Sequence, residues 1–296
     1  MGISPGSRRY LPLFFGAVSL VATGCVGPND TNAFKEVGWA GGRRDSAPAS
    51  DASYATLMRI ADASRDAGDR GNAVGLYRRA ADKAPSGDST AFVRLGFALI
   101  DAKSLNEAVA AFRTALQRTA SGPNGADARR GLGNALVALD QPQLAAAEFE
   151  AALAITPDDA RIYNSLGVVM DMAGDHRQAQ ELYRDGLGHE PGNLSLQNNL
   201  GLSLAMSGDY QEAITILRAV SSHPGATARN RQTLALVYGL AGQNEAAAQV
   251  GRMDLDENSV RSNVAYYGVL RALSAEERIG SIGVGGGRGG KSDPAQ

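Results

Sequence analysis

The chain has 296 residues, 44% of them hydrophobic, with 29 Lys and Arg against 31 Asp and Glu and a net charge of −2. Basic residues are dispersed along it, which argues against nucleic acid as a partner, since that calls for a clustered basic face. A single cysteine excludes a disulfide within one copy and any cysteine-cluster metal site.

Arg8 and Arg9 precede an apolar run from Leu11 to Val21 that ends in Ala22-Thr23-Gly24-Cys25. A basic head, a short hydrophobic body and small residues at a cleavage point make a signal peptide of residues 1–24, and the run is short for a membrane span. The ending resembles a bacterial lipobox, with Ala22 where that motif usually has leucine. The resemblance implies that cleavage leaves Cys25 first and that its thiol takes lipid. Several acyl chains at about 0.8 kcal/mol per buried methylene make such an anchor stable. Val26 stands where an aspartate commonly signals retention in the inner membrane, so the resemblance points to the outer membrane, with the chain facing the periplasm. Ser7-Arg8-Arg9 is also similar to a twin-arginine signal, but Leu11-Pro12 follows it poorly, and the general secretory route is preferred.

Residues 25–53 are rich in Gly, Asp, Asn, Ser, Ala and Pro without a sustained helical period, and read as a flexible tether. Trp39 lies there among Gly38, Gly41 and Gly42 and reads as incidental or as packing on the first repeat of the next segment, in preference to a short peptide motif for a partner.

From Tyr54 onwards the chain repeats itself. Leu166-Gly167 recurs as Leu200-Gly201, Gly174-Asp175 as Gly208-Asp209 and Ala179 as Ala213, each pair 34 residues apart. Apolar residues between these marks fall at helical spacing. Gly174 and Gly208 occupy places that favour left-handed backbone, and Pro191 stops a second helix. Each unit therefore reads as helix, glycine turn, helix and proline stop.

With Leu-Gly at positions 7 and 8, unit one starts at Tyr54 (Ala61, Gly68, Ala73, Tyr77, Ala80, Pro85) and unit two at Ser89 (Gly96, Ala108, Phe112, Ala115). Unit three starts at Ala126 (Gly133, Ala145, Phe149, Ala152, Pro157) and unit four at Ala160 (Ala179, Tyr183, Gly186, Pro191). Unit five, from Leu194, weakens, and unit six, from Ala228, has Gly251 and Asp254 where an aromatic and an alanine belong. Ser121-Gly122-Pro123-Asn124-Gly125 breaks the period between units two and three and reads as a lengthened surface loop. Residues 262–273 read as one last amphipathic helix closing the stack, and 274–296 as a disordered glycine-rich tail.

The period and its marks resemble the tetratricopeptide repeat. The implied fold is an all-α solenoid over residues 54–273, of about six helix-turn-helix units and a C-terminal capping helix. In that family the first helices line a concave face, which here places Arg130 and Asn134, Arg161 and Asn164, Ser195 and Asn198, and Arg229 and Gln232 as candidates for binding a peptide or partner. An arginine fork and side-chain amides suit carboxylates and main-chain groups.

Catalytic readings fail on context. Gly285 to Ser292 satisfies a phosphate-loop pattern, and Gly285, Gly287 and Gly290 imitate a dinucleotide fingerprint, but neither has the strand and helix that chemistry needs. His176, His189 and His223 show no metal-site spacing, and each reads as a surface or capping residue. No catalytic residue, metal ligand or cofactor is expected, and the chain reads as a non-enzyme.

The last third is more particular. Arg231 to Gly242, then Asp254-Leu255 and Val260 to Tyr267, together with the lipobox, resemble the TadD-type lipoproteins of the tight-adherence (Flp pilus) secretion system. That implies an adaptor whose protein partners are other components of the pilus machine, the outer-membrane secretin included. The alternative is a periplasmic repeat scaffold or chaperone of envelope biogenesis unconnected with pili.

Overall fold

A computed structural model describes residues 52–273; the signal peptide, Cys25, nearly all of the tether and the glycine-rich tail lie outside the described residues. Thirteen α-helices and no strand occupy the described part. They run α1 (Tyr54–Asp66), α2 (Arg70–Asp82), α3 (Thr90–Asp101), α4 (Leu105–Arg118), α5 (Gly122–Ala138), α6 (Pro142–Leu153), α7 (Ala160–Met172), α8 (His176–His189), α9 (Leu194–Met206), α10 (Tyr210–Ser222), α11 (Ala228–Leu240), α12 (Asn244–Gly251) and α13 (Glu257–Ala272). Consecutive helices pack in pairs, and α3, α5, α7, α9 and α11 also touch in sequence, forming a row of first helices. None of these helices is long and apolar enough to cross a membrane.

The turn inside each pair has one geometry. Position 15 of the six units is Gly68, Lys103, Asp140, Gly174, Gly208 and Gly242, and all six adopt positive φ, between 61° and 95°. Reversing the chain after the first helix demands a left-handed residue there, whichever side chain occupies it. Glycine takes that shape freely; Lys103 and Asp140 take it against the clash of their own Cβ.

Packing within a pair follows from two further positions. The residue at 24 is fully buried in five units, as Tyr77, Phe112, Phe149, Tyr183 and Leu217. Its side chain lies over position 8 of the partner helix. A Cβ added at Gly96, Gly133, Gly167 or Gly201 would stand 2.5–2.6 Å from the side chain of Phe112, Phe149, Tyr183 or Leu217 respectively. Alanines at position 20 (Ala73, Ala108, Ala145, Ala179, Ala213) are likewise buried, letting the two backbones approach. One unit cannot enclose this face alone, so stacking makes the core.

The stretch from Ser121 to Gly125 is not the loop its composition suggests. Gly122 to Gly125 form the first turn of α5, which at 17 residues is the longest helix described. Pro123 is tolerated because the first helical positions need no N–H donor. Asn124 Nδ2 donates to Thr90 Oγ1 (3.1 Å), tying the added turn to the preceding unit. The extra residues are thus absorbed as helix.

His176 also departs from the surface role expected of it. Its side chain is only 11% exposed, and its Nδ1 sits 2.8 Å from Asp171 Oδ1. Tyr183 Oη (2.9 Å) and Ser203 Oγ (2.6 Å) donate to the same carboxylate. Burial first, then the Asp171 charge and hydrogen bond, push the Tyr183 phenol far above its ordinary range. This buried knot joins α7, α8 and α9, the middle of the stack. His189 is exposed and stacks on Tyr163, while His223 caps the C-terminus of α10.

Unit six lacks an aromatic at 24, and α12 stops at Gly251. The cap supplies the ring instead: Tyr267 of α13 lies against Gly239, where an added Cβ would come within 2.3 Å of it. It joins Leu240, Ala247 and Leu270 in a terminal apolar cluster. Asp254, at the second irregular position, receives Arg231 Nε (2.8 Å) and Nη2 (2.5 Å).

Candidate functional site

Four of the predicted residues meet in one place. Arg130 and Asn134 of α5 and Arg161 and Asn164 of α7 line a cleft of about 350 Å³, completed by Ser165, Asn193 and Ser195. Positions 5 and 9 of one first helix lie beside positions 2, 5 and 6 of the next, because successive first helices touch along the row.

The arginines are held from within. Arg161 Nε and Nη2 donate to the two oxygens of Asp159 at 2.9 and 2.7 Å, and Nη2 stands 3.4 Å from Asp127. Asp159 also accepts from the backbone N–H of Arg161, capping α7. Burial alone would raise the Asp159 carboxyl, but its hydrogen bonds from Arg161 outweigh that and hold it below the usual range. Arg130 Nη2 donates to Asp127 Oδ1 at 2.8 Å, and its guanidinium lies 5.0 Å from the centre of the Phe97 ring.

The amides form rungs between repeats. Ser165 Oγ donates to Asn134 Oδ1 (3.3 Å), and Asn199 Nδ2 to Asn164 Oδ1 (2.9 Å). Asn193 caps α9, its Oδ1 accepting from the N–H groups of Ser195 and Leu196. The cleft therefore presents amide and hydroxyl groups on a fixed helical frame, with two guanidinium groups neutralised by neighbours. Among the described residues no cluster of metal-ligating side chains is present.

The other predicted residues lie elsewhere. Asn198 is 5% exposed and accepts from Asn230 Nδ2 (3.2 Å), a rung inside the stack and not an open surface. Arg229 is exposed on the first turn of α11. Gln232, also on α11, stands beside the Arg231–Asp254 pair, where Arg231 chiefly, and Gln232 with it, keeps the Asp254 carboxyl below its ordinary range. Sequence reasoning did not find Asp127, Ser165, Asn193 or Asn199, nor the contact between Asp159 and the Arg161 fork. The spacing of Asp127 three residues before Arg130, on one helix face, was the available signal.

A row of paired helices with a polar cleft defines a helical-repeat scaffold. The fold is a tetratricopeptide-repeat solenoid: two family models, both described as tetratricopeptide repeat, match residues 42–185 and 173–227. Proteins of this kind are typically non-catalytic and bind other proteins. Over 61 residues the chain is 43% identical to the uncharacterized protein y4yS of Sinorhizobium fredii (strain NBRC 101917 / NGR234), covering 21% of this chain and 34% of that protein. The match thus spans about a third of that curated relative. Among solved structures, the Cut9–Hcn1 hetero-tetramer superposes with a TM-score of 0.63 at 16% identity, covering 73% of this chain and 43% of that one. A tetratricopeptide-repeat protein from Parabacteroides merdae gives 0.58 at 17% identity, over 78% and 93%. Pseudomonas aeruginosa pilF gives 0.56 at 18%, over 68% and 89%. At these identities the likeness is one of fold alone.

Proposed function

We propose that this chain is a lipid-anchored adaptor at the outer membrane that holds a protein segment in the cleft between α5, α7 and α9, within the assembly of a tight-adherence pilus machine. The observation that carries the binding reading is the convergence of Arg130, Asn134, Arg161 and Asn164 in one cleft on the first-helix row. The anchor rests on the lipobox-like ending at Cys25, and the pilus assignment on the stretches Arg231–Gly242 and Val260–Tyr267. The partner is then another component of that machine, the secretin being the foremost candidate.

A photo-crosslinking residue placed at Ser195, exposed on the cleft rim, tests the partner. Cross-linking in intact cells should join the chain to the secretin or another pilus component, and the adduct should be lost in the Arg161→Ala/Asn164→Ala double variant. Adducts confined to proteins of unrelated envelope pathways would refute the pilus assignment. Globomycin tests the anchor, since an unprocessed precursor accumulates only when Cys25 is lipidated.

A further inference from the structure

The charges of the cleft bear on which part of a partner it takes. A surface arginine fork invites a carboxylate, such as a free chain terminus or an acidic side chain. Here the fork of Arg161 is already closed on both oxygens of Asp159. The same carboxylate is itself held in place, since it caps α7 through the Arg161 N–H. Arg130 is paired with Asp127 and laid over Phe97, and Glu190 adds its field to that of Asp159 and Asp127 on Arg161. Two guanidinium groups are thus matched by at least as many carboxylates, and an incoming anion meets those carboxylates as well as the arginines.

The amides are placed differently. Asn134 and Asn164 each spend their oxygen on a rung between repeats, accepting from Ser165 and Asn199. Each is left with its Nδ2 donors, in the cleft and on successive repeats. Two such donors, fixed by the rungs behind them, suit carbonyl oxygens, which an extended polypeptide offers at every residue whatever its side chains.

We infer that the cleft binds a neutral, internal, extended segment through main-chain carbonyls accepting from Asn134 and Asn164, and that the arginines shape its walls without reading charge. This rests on the proposed function, in which the cleft is where a polypeptide binds. The probe is a 12-residue peptide selected from a phage-displayed library against the full chain, then synthesised with acetyl and amide ends and again with a free carboxylate. The capped form should bind as well as the free acid, and its Kd should change by less than about threefold between roughly 50 and 500 mM sodium chloride. Asn164→Asp keeps the acceptor for Asn199 and exchanges the donors for a second oxygen and a negative charge, which repel a carbonyl, and should weaken binding by at least about tenfold. Ser195→Trp, on the exposed rim, should block the cleft for any ligand. Melting curves of both variants establish that they fold.

Dependence on the free carboxylate, a steep loss with salt, or full affinity in Asn164→Asp would overturn the inference while leaving the cleft as the site. Undiminished binding to Ser195→Trp, or a selection that returns no binder, would overturn the site itself.

Discussion

Gly167→Ala isolates the contact on which each repeat is built. The new Cβ would stand 2.5 Å from Tyr183 Cε1, against an ordinary carbon–carbon separation of about 3.5–4 Å. Something must therefore move by about 1 Å. The ring cannot yield freely, since Tyr183 is fully buried and its hydroxyl is bonded to Asp171 at 2.9 Å. Overpacking costs about 1–3 kcal/mol, and breaking the buried hydrogen bond about 1–3 more. Alanine returns about 1 kcal/mol of helix propensity, which leaves a net loss of about 3 kcal/mol. The control is the same substitution in open space: Gly75, exposed within α2, has nothing within 4 Å of the place a methyl group would take, so Gly75→Ala should gain up to about 1 kcal/mol. Thermal melting should place Gly167→Ala about 6–12 °C below the parent, at about 2–4 °C per kcal/mol, and Gly75→Ala slightly above it. Repeat stacks unfold in parts, so hydrogen exchange should locate the damage in α7 and α8. A Gly167→Ala protein that melts at or above the parent would refute the packing argument.

Lys103 adopts φ 63° where four other units have glycine, and Lys103→Gly should stabilise by up to about 1 kcal/mol in urea unfolding, left-handed strain outweighing the entropy glycine adds to the unfolded chain. Asp171→Asn should destabilise by about 1–3 kcal/mol, because the amide keeps one accepting oxygen and puts a donor where the other stood, leaving the hydroxyl of either Tyr183 or Ser203 without its buried acceptor; equal stability by urea titration would show the knot to be dispensable. Burial pushes the Tyr267 phenol up to about 12. A raised phenol favours the fold while neutral, so that stability is whole below about pH 10 and is lost as the pH rises towards 12. Tyr267→Phe should carry the exchange protection of α13 to higher pH, and an unchanged alkaline limit would contradict this. Asp254 behaves in the opposite sense: held below its usual range by Arg231, it stabilises above about pH 4 and loses that contribution in acid, an effect Asp254→Asn should abolish in pH-dependent melting.

The in-phase marks at positions 8, 15, 20 and 24 and the proline stops were sufficient for helix count, pairing and turn positions, because each names a local demand: a small residue under a ring, a left-handed turn, or a stop. Two misreadings share a cause. Gly122 to Gly125 look like a loop by composition, yet they continue α5, since proline and glycine at a helix start cost little and Asn124 finds Thr90 one unit away. His176 looks like a surface residue at a turn, yet Asp171, five residues earlier, and Ser203, from the next unit, draw it inside.

The sequence by itself determined a helical stack and its period, since periodicity is a property of one chain read along its length, and the family resemblance then implied a shared face for Arg130, Asn134, Arg161 and Asn164. Only the tertiary structure decided that these four share a cleft while Asn198 is enclosed, and that Asp127 and Asp159 have already taken the arginines. The reason is physical: charge balance and burial at a site depend on distances between residues a repeat apart, and those distances are set by how one unit packs on the next.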